Sequence, residues 1–187
     1  MTTKNAPKSG TPVLWVTRAG IPAATRAAIQ AHGKPQIYVL GPEDVISEAV
    51  TGELRKLGSV KRISGPDPVT NAIAFARSTD GTFGWGVTDP GHGLVFATTA
   101  RALDAAAAAP LSASGTYGPL LLVTEAQALP QALQDYLLDI QPGYDEDPVR
   151  GVYNHGWLMG DEAAISADVQ SRIDTLLEIQ PVDTGGD

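Results

Sequence analysis

Side chains able to do chemistry are few in this sequence and widely spaced. Asp89 and His92 share one loop, and His155 follows roughly 60 positions later. Neither an HxH nor an HxxxH spacing sets two imidazoles on one metal ion. His32 reads as a helix-end residue favoured by the dipole. The run Gly84-Trp85-Gly86-Val87-Thr88-Asp89-Pro90-Gly91-His92-Gly93 has glycines that let backbone N–H groups approach a phosphate. Its spacing fits neither GxGxxG nor a GKS/GKT loop, so a tight connecting loop is the better reading. Asp145, Glu146 and Asp147 follow Tyr144, but without the D-x-D-x-D-G order of a calcium loop, which leaves a solvated loop. Ser47 and Ser166 stand at helix starts with no G-x-S-x-G elbow and read as N-caps. Trp15 and Trp157 fall in strand-like runs and read as core. Trp85 reads as a wedge packing its loop, against the alternative of an aromatic face for a sugar ring. Cysteine is absent, which removes thiolate ligands, disulfides and Cys nucleophiles. The expectation is a chain with no catalytic residues, no metal site and no cofactor.

Charge narrows the partners. The 187 residues carry 13 Lys/Arg against 21 Asp/Glu, a formal net charge of −8, with a pI near 4.7. Global attraction to nucleic acid or to an anionic membrane is excluded on that balance, and no apolar run reaches the 18 residues of a membrane span. The start MTTKNAPKSG lacks the apolar core of a secretory signal. The chain is therefore expected to be cytoplasmic if it is the full-length product, or part of a longer exported protein. The charge is also uneven. Residues 1–62 hold nine bases against four acids, and residues 63–187 hold four against seventeen. Within the basic half, Arg55, Lys56, Lys61 and Arg62 cluster around a helix end and the next strand. Strand alternation over 60–63 turns Lys61 outward. Cations at a helix end also satisfy the dipole, which is the plainer reading of this cluster.

The elements that must position these residues alternate along the chain. Val13–Val16, Ile37–Leu40, Val60–Ile63, Leu94–Ala97, Leu120–Val123 and a run within 152–159 read as strands. Helices are expected after Pro22, over 44–57, 69–77 and 101–109 with Pro110 as the stop, after Pro130, and over 164–178. Residues 141–151 read as a loop. Continuous apolar strands separated by helices argue for an α/β fold, with a mainly parallel sheet and helices on both faces.

The chain also repeats itself. Pro12-Val13-Leu14-Trp15-Val16-Thr17 matches Pro119-Leu120-Leu121-Leu122-Val123-Thr124, and Ile21-Pro22 matches Leu129-Pro130. Leu40-Gly41-Pro42-Glu43 matches Met159-Gly160-Asp161-Glu162, and Ile46-Ser47 matches Ile165-Ser166. Val50, Leu54 and Leu57 continue in register with Val169, Ile173 and Leu176. A strand–helix–strand–helix unit thus occurs twice, around a segment of about 63–118 that occurs once. The two units are expected to superpose, with parallel strands.

Five runs carry a resemblance to a known family. Arg62-Ile63-Ser64-Gly65-Pro66-Asp67 resembles the RISGxD start of the cell wall binding repeat 2 family. Asp104-Ala105-Ala106-Ala107-Ala108-Ala109-Pro110-Leu111 is similar to its DALAAAPLA helix, and Gly118-Pro119-Leu120-Leu121-Leu122 to its GAPILL strand. Tyr38-Val39-Leu40-Gly41 through Ile46-Ser47, and Leu158-Met159-Gly160 through Ile165-Ser166, resemble its YVLGGxxAIS segment. The order and spacing agree over about residues 12–180. The resemblance implies a Rossmann-like layered α/β module. It divides the chain into an N-terminal stretch 1–11, a second half-module 12–60, a full module 61–180 and a C-terminal stretch 181–187.

The resemblance further implies a non-catalytic domain that anchors a larger surface protein, of S-layer type, to the anionic polymer of a Gram-positive cell wall. Other repeat modules would be its partners in cis or in trans, and its location the cell surface. Arg62 and Asp67 match family positions and join Arg55, Lys56 and Lys61 as expected polymer contacts. The family's Asp-Arg-Tyr is Asp67-Pro68-Val69 here, and 141–151 is an insertion. A structural assembly domain that has lost polymer binding, or a nucleotide- or small-ligand-binding α/β domain, are the alternatives. The half-module is expected to add its strands to the sheet of the full module, because sequential strands usually neighbour one another; the alternative is a missing partner supplied by another chain or by further sequence, since an open apolar edge must be covered.

Overall fold

The computed structural model describes residues 12–81, 83–113, 118–145, 147–148 and 151–182, side chains at 111–113 excepted. The chain forms an α/β fold built from parallel sheets, arranged as two unequal units.

In the smaller unit, α1 (Ala23–Ala31) starts directly after Pro22, whose missing N–H costs nothing at a helix start. It leads into β1 (Gln36–Leu40), α2 (Glu48–Arg55) and β2 (Ser59–Ile63). β1 and β2 pair in parallel, Tyr38 opposite Lys61 and Val39 opposite Arg62. Ile29, Val39, Val50, Leu54 and Leu57 form the core between helices and sheet, with Val16, Ile21, Ile37, Ile46 and Val60 packed against it. Residues 44–47 are turn rather than helix, because the Ser47 hydroxyl accepts from Val50 N and sets the N-cap there.

The larger unit opens with α3 (Pro68–Arg77) and a short antiparallel hairpin, β3 (Thr79–Asp80) and β4 (Phe83–Gly84). It continues through β5 (Gly93–Thr98), α4 (Ala102–Ala113), β6 (Leu120–Val123) and α5 (Gln131–Asp139). β7 (Gly143–Tyr144), β8 (His155–Met159), α6 (Ala167–Leu177) and β9 (Gln180–Pro181) complete it. The sheet runs β6-β5-β8, all parallel, with β5 in the centre. Leu94, Val95, Phe96 and Ala97 of β5 are fully buried, so both faces are covered. Leu94 and Phe96 join Val69, Ala76, Leu133, Tyr136, Leu137, Ile173 and Leu176 from α3, α5 and α6. Strand alternation turns Val95 and Ala97 to the opposite face, the side of α4, which packs on β5 and β8. Its alanines permit close approach, and Arg101 ties its start to the turn after β8 through Asp104 (2.8 Å) and Asp161 (2.6 Å).

Four expectations change. β1 and β2 form a sheet of their own rather than extending β6-β5-β8. Pro110 lies inside α4, not at its end; it and Ala106 are exposed, so the carbonyl that loses its donor can be hydrated. Part of the 141–151 loop is strand, since β7 pairs in parallel with β9. Residues 13–16 are not a strand. Val13 and Trp15 are 84% and 81% exposed, so Trp15 is not core. The physical reason lies in the repeat: β6 is a strand because β5 bonds it, and among the described residues the first copy has no such neighbour.

Local geometry nevertheless recurs. Thr17 bridges Gly20 as Glu125 bridges Ala128. Ser47 N donates to Arg18 O as Ser166 N donates to Ala126 O. Gly41 (φ 136°) and Gly160 (φ 125°) make the same turn after β1 and β8, in backbone territory that L side chains rarely enter. These bonds move the sequence match by one position, setting Thr17 with Glu125 instead of Thr124, so that Val13 is the counterpart of Leu121, which is fully buried. Leu121→Ala should therefore cost about 2–5 kcal/mol in urea denaturation followed by circular dichroism. Val13→Ala, at the equivalent position of the other copy, should cost less than about 0.5 kcal/mol.

Candidate functional site

The five expected contact residues sit around α2, β2 and the start of α3, and the structure gives them two different kinds of work. Arg55 ends α2 and pairs with Glu48; Lys56, its C-cap, pairs with Glu53, which also meets Arg26 at 3.5 Å. Lys56 in turn holds the Glu53 carboxyl below the usual range, by hydrogen bond first and then by charge. Lys61 points outward from β2, as alternation requires, with its ammonium 3.3 Å from Asp80 Oδ2. All three are substantially exposed.

Arg62 turns the other way. Its guanidinium donates to Gly41 O at 2.7 Å, Ile46 O at 2.8 Å and Thr51 Oγ1 at 2.5 Å. One side chain thereby clamps the β1–α2 turn onto β2. Asp67 is the N-cap of α3: its carboxylate accepts from Thr70 N at 3.0 Å and the Thr70 hydroxyl at 2.9 Å, while Asp67 N donates back to Thr70 Oγ1 at 3.2 Å. The backbone bond from Thr70, then the hydroxyl, pulls the Asp67 carboxyl below its ordinary value.

Three residues beside Lys61 were not singled out by sequence reasoning. The Tyr38 hydroxyl donates to Asp80 Oδ2 at 3.1 Å, and its ring stacks on Phe83, centroids 3.7 Å apart and planes 10° apart. Partial burial, then the Asp80 carboxylate, pushes the Tyr38 hydroxyl up. The usable signal was the Asp80-Gly81 dipeptide, which marks a hairpin turn and so carries Asp80 and Phe83 over β1 and β2.

The Gly-rich loop spends its amides internally. Gly91 N and His92 N both donate to Asn154 Oδ1, at 2.9 and 3.1 Å, and Asn154 Nδ2 donates to Ile140 O at 2.8 Å. Tyr136 OH donates to Val87 O at 3.0 Å, and Trp85 packs against the main core. This is a connecting loop pinned by a buried asparagine, with Trp85 as its wedge. His92 lies 3.3 Å from Asp89, and the His155 ring lies 6.1 Å from that of Trp157. Among the described residues no three His, Asp or Glu converge as a metal site would need; Glu146 lies outside them. Ser47 and Ser166 cap their helices, and His32 is the C-cap of α1. A shallow concavity beside β8, lined by Tyr153, Asn154, His155, Asp174 and Glu178, carries two carboxylates and is electrostatically wrong for an anion.

With this geometry in place, the comparisons are informative. The sequence profile of Cell wall binding domain 2 (CWB2) matches residues 62–170, more than half of the chain. The chain belongs to the CWB2 family. The match begins at Arg62 and spans Asp67, the Ala-rich α4 and the three-stranded sheet. Two solved structures resemble the whole fold. Cwp6 from Clostridium difficile superposes with a TM-score of 0.65 at 15% identity, over 88% of this chain and 23% of that one. Cwp8 from Clostridium difficile gives 0.59 at 18%, over 86% and 24%. The chain thus spans about a quarter of the length of these structural relatives. A search of curated protein sequences gave no match. As a CWB2 protein the chain is a cell-wall-binding domain, and no helix among the described residues is long and apolar enough to cross a membrane.

Substitutions at two positions test the structural half of this site. Arg62→Met leaves two buried-edge carbonyls and the Thr51 hydroxyl without their donor and should cost about 1–3 kcal/mol in urea denaturation. Asp67→Ala removes an N-cap and should cost about 1 kcal/mol at pH 7. Because the folded carboxyl lies below its ordinary value near 3.8, its contribution is complete above that value and is lost as pH falls through the folded value. The difference between Asp67→Ala and the unmodified chain should therefore shrink below about pH 4. Asp67→Asn should keep most of the cap and lose the pH dependence.

Proposed function

We propose that this CWB2 domain holds a larger surface protein on an anionic cell-wall polymer, with Arg55, Lys56 and Lys61 as the contacts. Arg62 and Asp67 shape the backbone on which those contacts stand. The observation that carries the reading is the family match over the full module; the exposed cations beside it supply the chemistry. Helices on both sides of a parallel sheet support a Rossmann-like layering for the module.

Each contact cation already has a carboxylate partner, and this matters to the energetics. Exposed ion pairs contribute only about 0–1 kcal/mol, so a phosphate or carboxylate on a polymer can displace Glu48, Glu53 or Asp80 at little cost. The net charge of −8 opposes approach at long range, but the Debye length of about 8 Å at physiological ionic strength screens distant acids from a close contact. Binding is therefore weak for each site and steeply salt-dependent, and repetition along a polymer multiplies it.

A second reading has one observation in its favour. Pro68-Val69 replaces the Arg-Tyr of the family pattern, so α3 begins with a proline and a buried valine instead of a cation and an aromatic ring. On that reading the domain assembles with other modules and leaves polymer binding to them. Sedimentation with purified cell walls separates the two. The polymer-binding reading expects co-sedimentation that falls at least tenfold between 50 and 300 mM salt, the direction that screening dictates, and that Arg55→Glu with Lys61→Glu abolishes. Binding unchanged in that double variant, or indifferent to salt, refutes the patch and favours the assembly reading.

A further inference from the structure

We infer that residues 12–16 and β1 frame an open strand slot that takes a β-strand with two flanking helices, built on the plan of residues 61–118 and supplied by a further module.

The full module shows what fills such a slot. There β6 and β8 never bond each other; β5 lies between them and bonds both, Phe96 opposite Leu121 on one side and Leu158 on the other. Residues 12–15 are the repeat counterpart of β6, and β1 is the counterpart of β8. One bond ties this segment to α1, and two more fix the turn that follows it, as in the second copy. Thr25 Oγ1 donates to Trp15 O at 2.7 Å, Thr17 N donates to Gly20 O at 2.9 Å, and Ser47 N donates to Arg18 O at 3.4 Å. Yet among the described residues 12–16 joins no ladder, and β1 bonds on one edge only, to β2. Strands in a sheet stand about 4.8 Å apart, so the separation expected by analogy is one strand wide, about 10 Å.

Exposure marks the same gap on both faces. In the full module α3 covers β6, and Leu121 and Val123 are fully buried. Their counterparts Val13 and Trp15 are 84% and 81% exposed, because the first copy has no α3. On the opposite face α4 covers the end of β8, where Met159 is half-buried; its counterpart Leu40 is 44% exposed. The missing pieces are thus a strand, a helix over Val13 and Trp15, and a helix over Leu40. Together they are the parts of the segment that occurs once in this chain. A second copy is a poor occupant, since its own residues 61–118 are already seated on its own β6 and β8. Lys61 lies one strand beyond β1 and stays outside the gap.

The test fuses a second copy of residues 61–118 directly ahead of Pro12 in the full chain and follows amide hydrogen exchange. Exchange at residues 13–15 and 37–39 should slow at least tenfold relative to the unfused chain. A fused copy carrying Phe96→Asp, which puts a charge into the slot, should give no slowing while leaving the resident module intact. Three results would each overturn the proposal: unchanged exchange in the fusion, equal slowing by the Phe96→Asp copy, or slowing at these amides in the unfused chain that grows with protein concentration, which would make a second copy the occupant. None of these readouts requires polymer, so they stand apart from the polymer-binding reading.

Discussion

A parallel strand with no water on either face must bond neighbours on both edges, and β5 is where this chain meets that demand. Its backbone groups cannot be hydrated once Leu94 to Ala97 are fully buried, so β6 and β8 must supply partners along its length. That requirement sets the order β6-β5-β8 and forces long crossovers, because parallel neighbours cannot be joined by a hairpin. The crossovers are the helices. α3, α5 and α6 gather on the Leu94 and Phe96 side, and α4 lies on the other. The first copy of the repeat shows the converse. It keeps the helix caps, the glycine turn and the bridge at Thr17, yet its leading apolar run stays out of any sheet, because the central strand that would bond it has no counterpart among the described residues.

Charge is organised on a similarly local basis. Four of the nine cations in residues 1–62 are not left as a free positive surface. Arg62 is consumed by carbonyls of the β1–α2 turn, and Arg55, Lys56 and Lys61 each rest against a carboxylate. On the proposed function, a chain of net charge −8 would engage an anionic polymer by exchanging such partners. The pairs lie at the surface, where exchange is cheap. On that proposal the same weakness would give salt sensitivity and leave useful affinity to repetition along a polymer.

Much of this molecule was legible from residue spacing. The helix starts at Pro22 and Pro130, the caps at Ser47 and Ser166, the outward turn of Lys61 and the wedge at Trp85 follow from local rules of backbone and burial. The fully buried strand at 94–97 was readable as a continuous apolar run despite the glycines before it. The family resemblance was carried by Arg62 to Asp67, the Ala-rich helix and the strand after Gly118. Of the site residues, Asp67 could have been read as an N-cap, since Thr70 stands three positions on and Pro68 opens the helix.

The sequence by itself determined local conformation and the repeat, because both depend on residues within a few positions of each other. Whether an apolar run becomes a strand is decided elsewhere, by whether a neighbouring strand bonds it. Val13-Leu14-Trp15-Val16 and Leu120-Leu121-Leu122-Val123 have the same character, and only the second is a strand, since only the second meets β5. The role of a cation was likewise undecided by its position. Lys61 and Arg62 are adjacent, yet one faces solvent beside Asp80 and the other closes on Gly41 O, Ile46 O and Thr51. Tertiary structure settled that choice, because the acceptors that hold Arg62 come from a turn 16 to 21 residues away.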